Sequence, residues 1–266
     1  MTITAGSPTW LDLGTTDLEK SMDFYRELFG WNFTSTGPEF GNYQMIDAGV
    51  PVGGLGLNMD MEGNLDESLP VWWTIYLKVA DIDATLEAVT TNGGTVFVPP
   101  MAIGDMGKMA IVAAPSGAAF GLWESGTFDG FDTQGNPGTS TWFESMTKDF
   151  DADSALYAAV LGWDNAPMGP DEGDAVETDE TPDNMGRYVT NFAGEAATAG
   201  LCEANAWLPE EMPSYWRVYF RVEDADATVA KIKDLGGALL DGPIDTPFGR
   251  VATVADSLGG SFQIVA

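Results

Sequence analysis

The chain has 266 residues, 44% of them apolar and 11% aromatic, a composition that folds and a length that suits two domains. Its 41 acidic residues against 11 basic ones give a net charge of −30, which repels nucleic acid and anionic membrane surfaces, because both are bound through Lys and Arg. Histidine is absent, which excludes Ser-His-Asp and Cys-His nucleophiles and removes the commonest transition-metal ligand.

From the start, Met1 to Pro8 lacks the basic and apolar regions of a signal peptide. Leu11 and Leu13 alternate with Trp10 and Asp12, the period of a strand. Thr16-Asp17-Leu18-Glu19 then opens a helix, with Met22, Tyr25, Leu28 and Phe29 at helical spacing and Gly30 as its stop. Gly53-Gly54-Leu55-Gly56 precedes no helix, so it is not a dinucleotide fingerprint; it marks a bulge or a close backbone approach. Val71 to Val79 is a strand, Asp81 to Thr91 a helix with Asp81 and Asp83 suited to its start, and Gly93-Gly94 its end. Lys108 to Ala113 and Ala119 to Glu124 are strands around the turn Pro115-Ser116-Gly117.

The pattern then repeats. Trp10-Leu11-Asp12 matches Trp142-Phe143-Glu144, and Leu28-Phe29-Gly30-Trp31 matches Val160-Leu161-Gly162-Trp163, at an offset of 132. Trp73, Tyr76, Asp81 and Asp83 match Trp216, Tyr219, Asp224 and Asp226 at 143, and Phe120 matches Phe262 at 142. Ala225 to Leu235 is the later helix of the second half, and Gly259-Gly260 a turn. An acidic segment, Asp171 to Asp183, accounts for the drift and has the composition of a surface loop. Domains are expected over 1–125 and 140–266, joined by a Gly-rich linker over 126–139. No stretch approaches the roughly 20 apolar residues of a membrane helix, and the lone Cys202 can form no internal disulfide, so a cytoplasmic protein is expected.

Asp17-Leu18-Glu19-Lys20-Ser21 followed by Phe24-Tyr25-Arg26-Glu27-Leu28-Phe29-Gly30-Trp31 resembles the first helix of the vicinal oxygen chelate superfamily (glyoxalase I, extradiol dioxygenases, bleomycin-resistance proteins). Tyr76 to Asp83 and the close Ala114-Pro115-Ser116-Gly117 with Phe120 to Glu124 resemble its second module. The resemblance covers nearly the whole chain twice, and is closest to the tandem two-domain actinobacterial type, as in the mycobacterial 27 kDa antigen. It implies an α+β fold of two glyoxalase-like domains, each built of paired βαβββ modules with a curved mixed sheet around a pocket. It also implies metal ligands on three strands. At those positions this chain has Trp10, Thr74 and Gly121 in one half and Trp142, Arg217 and Gln263 in the other. Of these only Gln263 is a coordinating type, and a weak one, so neither metal nor cofactor is expected.

Strand alternation places Trp10, Asp12, Thr74, Tyr76, Lys78 and Trp123 on the ligand face of the first half. Trp142, Glu144, Arg217, Tyr219, Arg221 and Gln263 share that of the second. Asp12 is positioned to pair with Lys78, and Glu144 with Arg217 or Arg221. Either these charges satisfy one another at the end of a half-buried sheet, or they orient a planar ligand stacked on Trp and Tyr. Trp10 and Trp142 either line that pocket or fill it. Three classes follow: a monomeric or homodimeric binder of a planar or aromatic small molecule, a cofactor-independent enzyme of secondary metabolism with Asp12 or Glu144 as base, or a structural protein whose pockets are closed by Trp.

Overall fold

A computed structural model describes residues 3–60, 62–131, 135–167, 186–206 and 208–266. The acidic segment expected to be a surface loop lies outside the described residues. Four βαβββ modules follow one another. The first is β1 (Pro8–Thr15), α1 (Leu18–Phe29), β2 (Asn32–Ser35), β3 (Gln44–Asp47) and β4 (Pro51–Leu57). The second is β5 (Trp72–Val79), α2 (Ile82–Thr91), β6 (Thr95–Ile103), β7 (Gly107–Ala113) and β8 (Ala119–Ser125). The third is β9 (Ser140–Thr147), α3 (Phe150–Leu161), β10 (Ala166–Pro167), β11 (Tyr188–Thr190) and β12 (Ala199–Glu203). The fourth is β13 (Tyr215–Arg221), α4 (Ala225–Asp234), β14 (Ala238–Thr246), β15 (Gly249–Ala255) and β16 (Ser261–Val265).

Each helix starts on an aspartate whose carboxylate accepts from a backbone N–H in the first turn: Asp17, Asp81, Asp149 and Asp224. Satisfying that orphan donor also places negative charge at the positive end of the helix dipole. Gly30 and Gly162 end α1 and α3 in the left-handed region, at φ 74° and 69°.

Two modules make each sheet. The first has strand order β2-β3-β4-β1-β5-β8-β7-β6 and the second β10-β11-β12-β9-β13-β16-β15-β14. β1 pairs antiparallel with β5, and β9 with β13, so the modules of a half meet at their first strands. Odd-numbered Leu11, Leu13, Ile75 and Leu77 are fully buried on one face, which leaves the even-numbered residues for the other.

One large apolar core runs through both halves, and a smaller cluster around Met146, Cys202 and Ala204 lies in the second. Tyr25 and Trp31 of α1 and its C-terminal turn stack at 5.1 Å, and Trp31 also meets Phe220 of β13 edge-on at 5.4 Å. In the mirror arrangement Tyr157 of α3 meets Phe120 of β8 at 5.6 Å. Trp31 Nε1 donates to the Gly138 carbonyl at 2.7 Å and Trp163 Nε1 to the Gly6 carbonyl at 2.8 Å, so each half ties down the chain just ahead of the other's first strand. Tyr25 donates to Asp256 at 2.9 Å, and the Ser116 hydroxyl to Asp153 at 2.6 Å, across the same seam. No helix among the described residues is long and apolar enough to cross a membrane.

Candidate functional site

The face opposite the helices carries the candidate residues, in two versions of one layout. Antiparallel register sets Asp12 across from Thr74 in the first half and Glu144 across from Arg217 in the second. Trp10 lies across from Tyr76, and Trp142 across from Tyr219. Parallel pairing then puts Gly121 beside Tyr76, and Gln263 beside Tyr219.

Each layout is completed by a tyrosine that the sequence reading missed. Tyr43 lies over Gly54, and a methyl group there would collide with its phenol. Tyr188 lies over Gly200 in the same way. Trp10 Nε1 donates to the Tyr43 hydroxyl at 2.9 Å, and Trp142 Nε1 to the Tyr188 hydroxyl at 2.9 Å. The available signal was the glycine-rich β4, whose close approach turns out to be to an aromatic side chain.

The carboxylates differ sharply. Asp12 Oδ2 accepts from Tyr76 at 3.2 Å and Tyr43 at 3.4 Å, and no cation among the described residues touches it. Its Oδ1 has no hydrogen bond among the described residues, and Asp12 as a whole is half-buried. Burial raises Asp12 to about 7, against the two phenol hydrogen bonds that lower it. Burial, and then the Asp12 charge, push both phenols well above their ordinary value, so both are neutral donors.

Glu144 is only 5% exposed and sits in an ion pair. Its Oε2 accepts from Arg217 Nε at 2.6 Å, from Arg217 Nη2 and from Tyr219 at 2.9 Å. Burial works against the Arg217 charge, but the Glu144 carboxylate outweighs it and holds the guanidinium above its usual value. Burial, with Glu144 nearby, pushes the neighbouring Cys202 thiol up to about 12, so it stays neutral.

Lys78 does not meet Asp12. It pairs with Asp129 at 2.7 Å, because the chain after β8 folds back over the first sheet. Composition reads residues 126–139 as a linker; residues 126–131 are a cover. Phe128 packs edge-on against Trp10 at 5.2 Å and Trp123 at 6.2 Å, and Phe131 lies 5.9 Å from Trp10. Trp123 Nε1 donates to the Phe128 carbonyl at 3.0 Å. Trp10 and Trp123 are thereby filled in, each 7% exposed. The second sheet is covered at its other end, where Leu208 and Tyr215 pack on Met146 and Cys202. Trp142, Arg217, Tyr219 and Arg221 stay half-buried there, and Asp12, Tyr43, Trp72 and Thr74 in the first half. Two open hollows lie elsewhere, about 220 Å³ beside Gly104 and Gly107 and about 390 Å³ between α2 and α3, and neither gathers aromatic side chains.

Among the described residues the Arg221 guanidinium has no hydrogen bond or ion pair. Gln263, 2% exposed, has its Oε1 engaged by Thr253 at 2.7 Å. At the positions where the resemblance implies metal ligands, Trp10 and Trp142 donate to tyrosines, Arg217 donates to Glu144, Gln263 accepts from Thr253, and Thr74 and Gly121 complete a set without imidazole or carboxylate, which does not fit a metal ion. No group of three His, Cys, Asp or Glu among the described residues is placed to hold one.

Residues 7–122 match the family described as Glyoxalase/Bleomycin resistance protein/Dioxygenase superfamily. The anthracycline biosynthesis protein DauV of Streptomyces sp. (strain C5) is 34% identical over 98% of this chain and 93% of its own. The chain belongs to this superfamily. CFP32 of Mycobacterium tuberculosis, named as a candidate glyoxylase, is 33% identical over 98% of this chain and 94% of its own. Among solved structures, the Mn(II)-bound glyoxalase of Novosphingobium aromaticivorans superposes with a TM-score of 0.61 at 14% identity, covering 98% of this chain and 82% of that one. The 2,3-dioxygenase LapB of Pseudomonas sp. KL28 gives 0.61 at 15%, covering 99% and 93%. At such identities these establish the superfamily fold: two tandem glyoxalase-like domains of paired βαβββ modules.

Proposed function

We propose that this superfamily member binds a small, planar, aromatic anion of secondary metabolism on the ligand face of its second half. The observation that carries this is Arg221, a half-buried residue whose guanidinium is unpartnered among the described residues, in a chain with 41 acids and 11 bases. A half-buried arginine with no partner among the described residues is available to an anion supplied from outside. Arg221 stands two residues beyond Tyr219 on β13, with Trp142 across from Tyr219. The aromatic residues offer stacking surface and the guanidinium orients the ligand. The acidic exterior does not prevent this, because exposed charges are screened beyond about 8 Å at physiological ionic strength. Relatives named for anthracycline biosynthesis support a place in secondary metabolism.

The test is quenching of tryptophan fluorescence by anthraquinone sulfonate, a planar aromatic anion. Saturable binding is expected, weakened about tenfold or more by Arg221→Gln, the size of a lost charge-assisted hydrogen bond. Trp142→Ala should weaken it similarly. Wild-type affinity in both variants would refute the assignment. The enzymatic reading keeps one specific observation, the uncompensated carboxyl of Asp12, since Glu144 is tied to Arg217.

A further inference from the structure

The same sheet position serves two chemistries in the two halves. In the second half a guanidinium neutralises the carboxylate, whereas Thr74 replaces it in the first. A half-buried carboxyl with no cation beside it among the described residues lowers stability, and two phenols orient it through one oxygen while the other has no hydrogen bond among those residues. We infer that Asp12, Tyr43 and Tyr76 form an acid–base site that tautomerises a ketone whose enolisable carbon bears an aromatic ring, without metal or cofactor. The inference goes beyond the binding reading and is independent of it, since it concerns the other half.

The step balances without any co-reactant. Asp12 Oδ1 takes a proton from the carbon beside the carbonyl, and the C–H bonding pair becomes the C=C bond of an enolate, whose charge moves to the carbonyl oxygen. The carboxylic acid then returns a proton to that oxygen, giving the enol, or to the same carbon, which restores the ketone with the hydrogen exchanged once the acid has equilibrated with solvent. The phenols stay protonated throughout and hold the carboxyl in place. The groups facing Asp12 are Tyr43 and Tyr76, with Thr74 across from it, and Lys78 farther along β5 is engaged by Asp129. Asp12 is therefore the group that titrates near neutrality, in the range a general base needs, with burial as the cause.

The test uses the full chain with β-tetralone in deuterium oxide, following by proton NMR the loss of the methylene signal between ring and carbonyl. Exchange should run about 100-fold or more above buffer and rise with pH through a midpoint near 7. Asp12→Asn, which mimics the protonated form and keeps the fold, should return the rate to buffer. Tyr76→Phe removes a hydrogen bond that favours the carboxylate, so its midpoint should move upward, a shift that a purely structural role would not produce. Wild-type exchange at the buffer rate, or exchange unchanged in Asp12→Asn, overturns the inference. Loss of anthraquinone sulfonate binding leaves this result unaffected, so the two readings fail separately.

Discussion

Arg217 stands across from Glu144 in the register of β13 and β9 and donates to its Oε2 at 2.6 Å through Nε; Thr74 occupies the matching place across from Asp12. One residue type at one repeat position thus decides whether the carboxylate of a half is neutralised. The other main parts of the layout, a Trp–Tyr hydrogen bond and a second tyrosine on the neighbouring strand, are present in both.

Thr74→Arg should convert the first half to the second. A guanidinium facing Asp12 favours the charged form, so the carboxyl should drop from about 7 toward its ordinary 3.8. Carbon-detected NMR titration of the Asp12 carboxyl checks this, and an unmoved midpoint would mean that the arginine does not reach it.

Arg217→Met should be strongly destabilising. It strands Glu144, which is 5% exposed, without its cation, and such losses cost about 3–5 kcal/mol. Urea midpoints at constant slope measure the change. Arg217→Met with Glu144→Gln should recover much of it, since removing both charges removes the penalty.

Stability should decline as pH rises from about 4 to 7, in part because of Asp12. Its folded-state value lies above the ordinary 3.8, so within this window the folded chain holds the proton and the unfolded chain releases it. The contribution is intact below the unfolded value and lost once pH passes about 7. Asp12→Asn should match wild type near pH 4 and exceed it at pH 8 in urea denaturation. Asp153 and Asp256, also raised by burial, keep part of the slope in that variant.

The halves should unfold together. Trp31 is fully buried, reaches Phe220 of the other sheet and bonds the Gly138 carbonyl. Trp31→Ala should cost about 3–5 kcal/mol and shift one shared transition. Coincident curves by tryptophan fluorescence and far-ultraviolet circular dichroism check this; two separated transitions would show that the halves are energetically independent.

The sequence alone determined the two-fold repeat, the α+β modules and the helix starts. These rest on local rules: alternation of side chains along a strand, an aspartate cap for orphan N–H groups, and glycine where the chain turns left-handed. It also determined the family, because the motifs that carry it are properties of position along the chain. The pairing of Glu144 with one of two arginines was legible to within that choice, since all three lie on one face.

Tertiary structure decided the rest. Lys78 lies on the same face as Asp12 yet pairs with Asp129, because residues 126–131 fold back over the sheet, and composition gives no sign of where a glycine-rich segment goes. Tyr43 and Tyr188 enter the site from β3 and β11 and the turns beside them, across glycines whose missing side chains make room. The difference between Asp12 and Glu144 is decided by what lies across the strand pair. Register is a long-range property, fixed by packing of whole faces, and it is there that one carboxylate gained a cation and the other did not.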